Sequence, residues 1–149
     1  MNKEGYLLLH TSEFSRSFVS NGKNGAILKA VVFQEIAEHL YNVALMDYLI
    51  EVDSFSDNVH SNNGDMPKVL ATVVGAMKDF LELKPNAVLY FEGNTRVKQL
   101  LYNRIVRNNI DILLGQFNIE GQTGTQKELY SFGNEYDSFY IYLKQKDNE

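Results

Sequence analysis

Gly93-Asn94-Thr95-Arg96, with Lys98 two residues on, places small polar residues and two cations just after the apolar run "AVLYF" at 87 to 91. That arrangement suits anion binding. A helix beginning here leaves unpaired backbone N–H groups and about half a positive charge at its first turn. Arg96, Lys98 and Arg104 would add full charges along it. A second stretch of the same kind, Ser61-Asn62-Asn63-Gly64-Asp65 with Lys68 one turn in, opens an earlier helix. Its Asp65 already supplies a carboxylate at the helix start, so the loop at Gly93 is the better site. The candidate ligand-binding residues are Asn63, Gly64 and Lys68 in the first loop and Gly93, Asn94, Thr95, Arg96, Lys98 and Arg104 in the second. Asp65 and Asn94 or Thr95 serve equally as helix caps, the commonest use of such residues. The two loops are expected at one rim of a sheet, their amide hydrogens facing a shared hollow.

Other chemistries find less to work with. The Gly93 loop has no second glycine followed by Lys-Ser or Lys-Thr, so it is not a Walker loop. His10, His39 and His60 are scattered and none has a metal spacing, and there is no cysteine, so neither a metal nor a cofactor is implied. Ser61 lacks the G-x-S-x-G elbow of a nucleophilic serine. The two glycines of "EGQTGTQ" at 120 to 126 precede a strand-like run and read as a hairpin loop. Catalytic residues are therefore unassigned. Asp65, His60 and Tyr102 are the acid–base groups nearest the loops, should the protein be an enzyme.

The helix after Gly93, "NTRVKQLLYNRIVRNN", carries an exposed stripe by its spacing. At about 100° per residue, Val97, Leu101, Tyr102, Ile105 and Val106 share an inward half. Arg96, Gln99, Asn103, Arg104 and Arg107 share the outer half, with Lys98 on the flank. Arginines one or two turns apart on such a stripe can grip phosphates or an acidic protein surface. The same stripe is also what a solvated helix face looks like, and Arg104 and Arg107 near the helix end match its dipole.

The chain has 149 residues, the length of one domain, with a net charge of −5 that argues against coating nucleic acid by global charge. A local basic patch or a protein partner remains open. No apolar run is long enough to span a bilayer, and with no disulfide framework a cytoplasmic location fits. Nine tyrosines and nine phenylalanines without a tryptophan point to a sheet-rich core.

Several elements must position these loops. "EFSRSFVS" sets Phe14, Arg16 and Phe18 in a period of two, and "NGKNG" turns it into "AILKAVVFQEI". "HLYNVALMDYLIEV" reads as a further strand. Asp65 and Pro67 then start a helix whose Val69, Leu70, Val73, Val74, Met77, Phe80 and Leu81 fall on one face. "AVLYF" has the pattern of a central strand covered on both faces. After the second helix, "GQFNIEG", "KELYSF" and "DSFYIYLKQ" are strand-like again. Tyr136, Phe139, Tyr140 and Tyr142 offer rings that could stack on bases, although at strand spacing they also read as core on one face and sheet surface on the other. The expected fold is α+β, a mixed, mainly antiparallel sheet with two helices packed on it, in the order β-β-β-(β)-α-β-α-β-(β)-β. Residues 1–149 form one domain, with a flexible tail from 144.

The stretches "SNNGDMPKVLATVV" and "YFEGNTRVKQLLYNRI", with "GKNGAILKAVVF" and "YNVAL", resemble a family of uncharacterised proteins common in Bacteroidota, over roughly residues 12 to 121. That family's pattern is Gly-Ser-Thr followed by several arginines and Leu-Tyr. Gly93, Thr95, Leu101 and Tyr102 match it, while Asn94 replaces the serine and Lys98 and Leu100 replace arginines. The resemblance implies no established activity; small proteins of this sort often belong to toxin–antitoxin or defence operons. The leading expectation is a cytoplasmic domain that recognises RNA, a nucleotide or an acidic protein surface near Gly93 to Arg104. The alternatives are an enzyme, such as an RNA-cleaving toxin or a group transferase, and an interaction module using an exposed sheet edge, with homo-oligomers admitted.

Overall fold

The computed structural model describes residues 5–56 and 63–144. His60, Ser61, Asn62 and the tail beyond Lys144 lie outside the described residues. The fold is α+β, with nine strands paired mostly antiparallel and three helices among the described residues. The chain groups into two compact units, Met1–Glu35 with Asn42–Phe80, and Ile36–Tyr41 with Leu81–Glu149.

In the first unit, β1 (Leu9–Ser12), β2 (Ser15–Gly22), β3 (Gly25–Ala37) and β4 (Leu40–Leu49) lie side by side in that order, and the short β5 (Ser54–Ser56) adds to β4. The turn expected at "NGKNG" closes β2 onto β3 with Gly22 opposite Gly25. Gly25 has φ +86°, a left-handed conformation that glycine adopts without steric cost. The period-two face that starts at Phe14, just before β2, packs under α1 (Met66–Leu83) and the residue ahead of it: Phe14 tilts against Phe80, Arg16 reaches Asp79 and Ser20 reaches Asp65. Phe33 of β3 stacks on Phe80 at 4.1 Å, and both rings are fully buried. Each such ring contributes about 1.5–3 kcal/mol by leaving water. Val69, Met77, Phe80 and Leu81 of the expected helix stripe are buried.

Two cations lie inside this core. Arg16 is completely buried; its Nε donates to Asp79 at 3.1 Å, and its Nη1 donates to the carbonyls of Ser12, Glu13 and Ser15. Lys29 of β3 donates to Asp47 of β4 at 2.6 Å, with both residues buried.

In the second unit the sheet runs β6 (Val88–Glu92), β9 (Ser138–Leu143), β7 (Phe117–Thr123), β8 (Gln126–Leu129). The tip between β3 and β4 joins β6 through Val88 N–H donating to the His39 carbonyl at 2.7 Å. The loop expected in "EGQTGTQ" is the β7–β8 hairpin turn, with Gly124 at φ +60°. Leu89, Phe139, Ile141, Phe117 and Ile119 form a buried face, onto which α2 (Arg96–Asn108) contributes Val106 and α3 (Ile110–Gln116) contributes Leu113. The third helix was not expected. The second helix was expected to fade in "RNNID"; instead Asn109 is at once the C-cap of α2 and the N-cap of α3. Strand β6 is also not covered on both faces: Leu89 is fully buried, whereas Tyr90 is half-buried beside Tyr140.

Candidate functional site

The first loop is drawn into the β2–β3 hairpin. Asn63 is 2% exposed, and its amide donates to Ser20 Oγ and the Gly25 carbonyl while its carbonyl oxygen accepts from Asn24 N–H at 2.7 Å. Gly64 takes φ +78°, a turn that a side chain would strain. Asp65 starts α1 through its backbone carbonyl, which accepts from Lys68 and Val69 N–H. Its carboxylate turns elsewhere, accepting from the Tyr6 and Ser20 hydroxyls at 2.5 Å each. Burial raises the pKa of that carboxyl, but the Ser20 and Tyr6 hydroxyls, a backbone hydrogen bond and the Lys29 charge together hold the group below its ordinary value. Lys68 lies over the Tyr6 ring at 4.3 Å, a cation–π contact.

The second loop is built around close packing. A Cβ on Gly93 would lie 2.3 Å from the Gln99 backbone nitrogen, so only glycine lets the first turn of α2 fold back onto the end of β6. Thr95 is the N-cap, its hydroxyl accepting from Lys98 N–H at 3.2 Å. Asn94 is exposed. Arg96 reaches Glu135 at 3.4 Å, and since both side chains are more than half exposed the pair is weak. Lys98 is half-buried on the flank, and Arg104 and Arg107 are exposed.

The helix is rotated from the phase that its polarity suggests. Asn103, expected on the outer face, is 6% exposed and clasps the backbone of Tyr136, donating to its carbonyl at 2.7 Å and accepting from its N–H at 2.8 Å. Gln99, also expected on the outer face, is half-buried, and its backbone packs against Gly93. Val97, expected inward, is 76% exposed, and Leu100 is 46% exposed. The outer face of α2 is therefore Arg96, Val97, Leu100, Arg104 and Arg107, a basic strip with aliphatic residues set into it. The physical reason is satisfaction of buried peptide groups. The loop after β8 runs under α2, and its N–H and C=O need partners more than Val97 needs cover.

That loop is fixed by Tyr136. Its ring lies over Gly121, where a Cβ would fall 2.4 Å from it, and its hydroxyl donates to Glu128 at 2.5 Å. A polar cleft of about 230 Å³ opens between Thr123, Gln126, Glu128, Asn134, Glu135 and Tyr136. Nothing in the residue pattern marked it, because its members come from a turn, a short strand and a loop.

On the sheet face away from the Leu89 and Ile141 side chains, Tyr90, Tyr140 and Tyr142 are half-buried, as alternation in β9 implies. Their hydroxyls donate to Glu92, Gln122 and Glu120 respectively. Burial and the Glu92 carboxylate push Tyr90 up to about 12; the Glu120 hydrogen bond and burial do the same for Tyr142. Lys127 sits 4.2 Å from the Tyr140 ring centre. The rings thus stand among both carboxylates, Glu92 and Glu120, and a cation, Lys127.

Of the groups considered for acid–base work, Tyr102 stands edge-on to Phe91 in the second unit, Asp65 is engaged as above, and His60 lies outside the described residues. Among the described residues, no cluster of His, Cys, Asp or Glu is placed to hold a metal. No helix there is long and apolar enough to cross a membrane.

These features define a small α+β domain whose polar clusters mainly fasten loops to helices, with one basic–aliphatic helix face left outward. The chain belongs to DUF6934, a family of unknown function, whose model matches residues 2–144. No curated protein and no solved structure matches it.

Proposed function

We propose that this is a non-catalytic recognition domain of the bacterial cytoplasm, whose α2 helix engages an acidic protein surface. The observation that carries the reading is the outer face of α2. Arg96, Arg104 and Arg107 flank Val97 and Leu100, which are exposed although a helix with Asn103 turned inward had apolar residues to bury instead. Apolar anchors ringed by charge are the anatomy of a protein interface. A phosphate-binding helix would have little use for Val97 and Leu100, and the net charge of −5 repels a polyanion beyond the reach of the strip. The anion-binding role first suggested for the Gly93 loop thus becomes the positive end of this strip, with Thr95 capping the helix and Arg96 free to exchange Glu135 for a partner carboxylate. A place among toxin–antitoxin or defence proteins, where an antitoxin or a neutraliser works by protein contact, is the setting in which such a domain fits.

The test is binding of a labelled peptide of alternating glutamate and leucine, beside a single-stranded RNA oligomer of equal charge. The Arg104→Glu, Arg107→Glu double variant should bind the peptide at least about tenfold more weakly than the unaltered protein, with unchanged circular dichroism. The RNA should bind weakly to both. Equal peptide affinity of the two proteins, or tight RNA binding lost in the variant, overturns the reading.

A further inference from the structure

We propose that the acidic surface seated on α2 is the β3–β4 hairpin tip of a second copy of this chain, an inference that rests on the reading of α2 above. The tip carries Glu35, Ile36, Ala37, Glu38 and His39, all exposed, with Ile36 at 54% and the Glu38 side chain at 90%. It is the chemical complement of the helix strip: carboxylates on either side of an exposed aliphatic residue, against guanidinium groups on either side of Val97 and Leu100.

The tip is also held in shape. His39 takes φ 62°, a left-handed conformation uncommon outside glycine, and its carbonyl accepts from Val88 N–H, which fixes the turn to β6. A hairpin tip held by such a bond loses little freedom on docking. Each chain then presents one basic and one acidic half of the same contact. Ile36 at 54%, Val97 at 76% and Leu100 at 46% stay exposed among the described residues. A contact between two different patches is head-to-tail, so it closes into a ring or continues as a chain of subunits.

Two variants separate the halves without reversing either charge: Arg104→Ala with Arg107→Ala spoils the helix strip, and Glu35→Gln with Glu38→Gln spoils the tip. In sedimentation equilibrium at low salt, the unaltered protein should associate, and each variant alone should remain monomeric at a concentration about ten times higher. An equimolar mixture of the two should give one-to-one dimers and nothing larger, because only one intact strip and one intact tip meet in each pair. Glu51→Lys, in the similarly acidic and aliphatic turn "IEVD" after β4, should leave association unchanged. A monomeric unaltered protein, a mixture that stays monomeric, or loss of association with Glu51→Lys overturns the proposal. If α2 still binds the acidic peptide in that event, the recognition reading survives and only the second copy is ruled out as its partner.

Discussion

The side-chain amide of Asn103 spans both peptide groups of Tyr136, its nitrogen 2.7 Å from the carbonyl oxygen and its oxygen 2.8 Å from the backbone nitrogen. One helix residue thereby replaces the strand partner that this loop lacks. The clasp sets the rotation of α2, because Asn103 cannot reach Tyr136 unless Val97, about a turn and two-thirds earlier, points to solvent.

Asn103→Ala leaves a buried N–H and a buried C=O without partners, at about 1–3 kcal/mol each. The expected loss is about 3 kcal/mol of unfolding free energy in urea, with the denaturant slope unchanged. A loss below about 1 kcal/mol would mean that water replaces the clasp and that α2 is not held in phase by it.

Lys29 and Asp47 are both buried, and their ion pair at 2.6 Å lies in the core of the first unit. Removing one partner strands the other charge away from water, so Lys29→Met alone should cost about 3–5 kcal/mol. Lys29→Met combined with Asp47→Leu removes both charges and should recover most of that loss. Urea unfolding of both proteins decides it, and additive losses would show that the pair is not coupled.

Acid should destabilise the protein through Asp65. Its folded pKa is depressed, so the stability it contributes is complete above the unfolded carboxyl value and is lost as pH falls through the folded one. The Tyr6 hydroxyl supplies part of that depression. Tyr6→Phe should therefore lower stability at pH 7 and flatten its decline between about pH 5 and pH 2. Urea midpoints measured across that range give the slope directly, and parallel curves for the two proteins would dismiss the link.

Local patterns in the chain were enough to locate most elements. Pro67 within a first turn, apolar residues every three or four positions up to Leu81, and the Asn-Gly turn before β3 describe forces acting within a few residues of each other. Period-two spacing likewise put Arg16 on the same face as Phe14 and Phe18, and the folded chain buries it there. Tertiary structure decided which polar residues serve the fold. Asn63 and Asn103 look like surface residues in a string of letters, yet each completes backbone hydrogen bonds of a segment more than thirty residues distant. The rotation of α2 follows from that long-range demand, and with it the exposure of Val97 and Leu100 on which the recognition surface depends. Helical periodicity measures only how polarity is distributed around an axis. It carries no information about unsatisfied peptide groups elsewhere in the chain, and leaving the two at Tyr136 buried without partners costs about 2–6 kcal/mol against about 1.5–3 kcal/mol for one valine left in water.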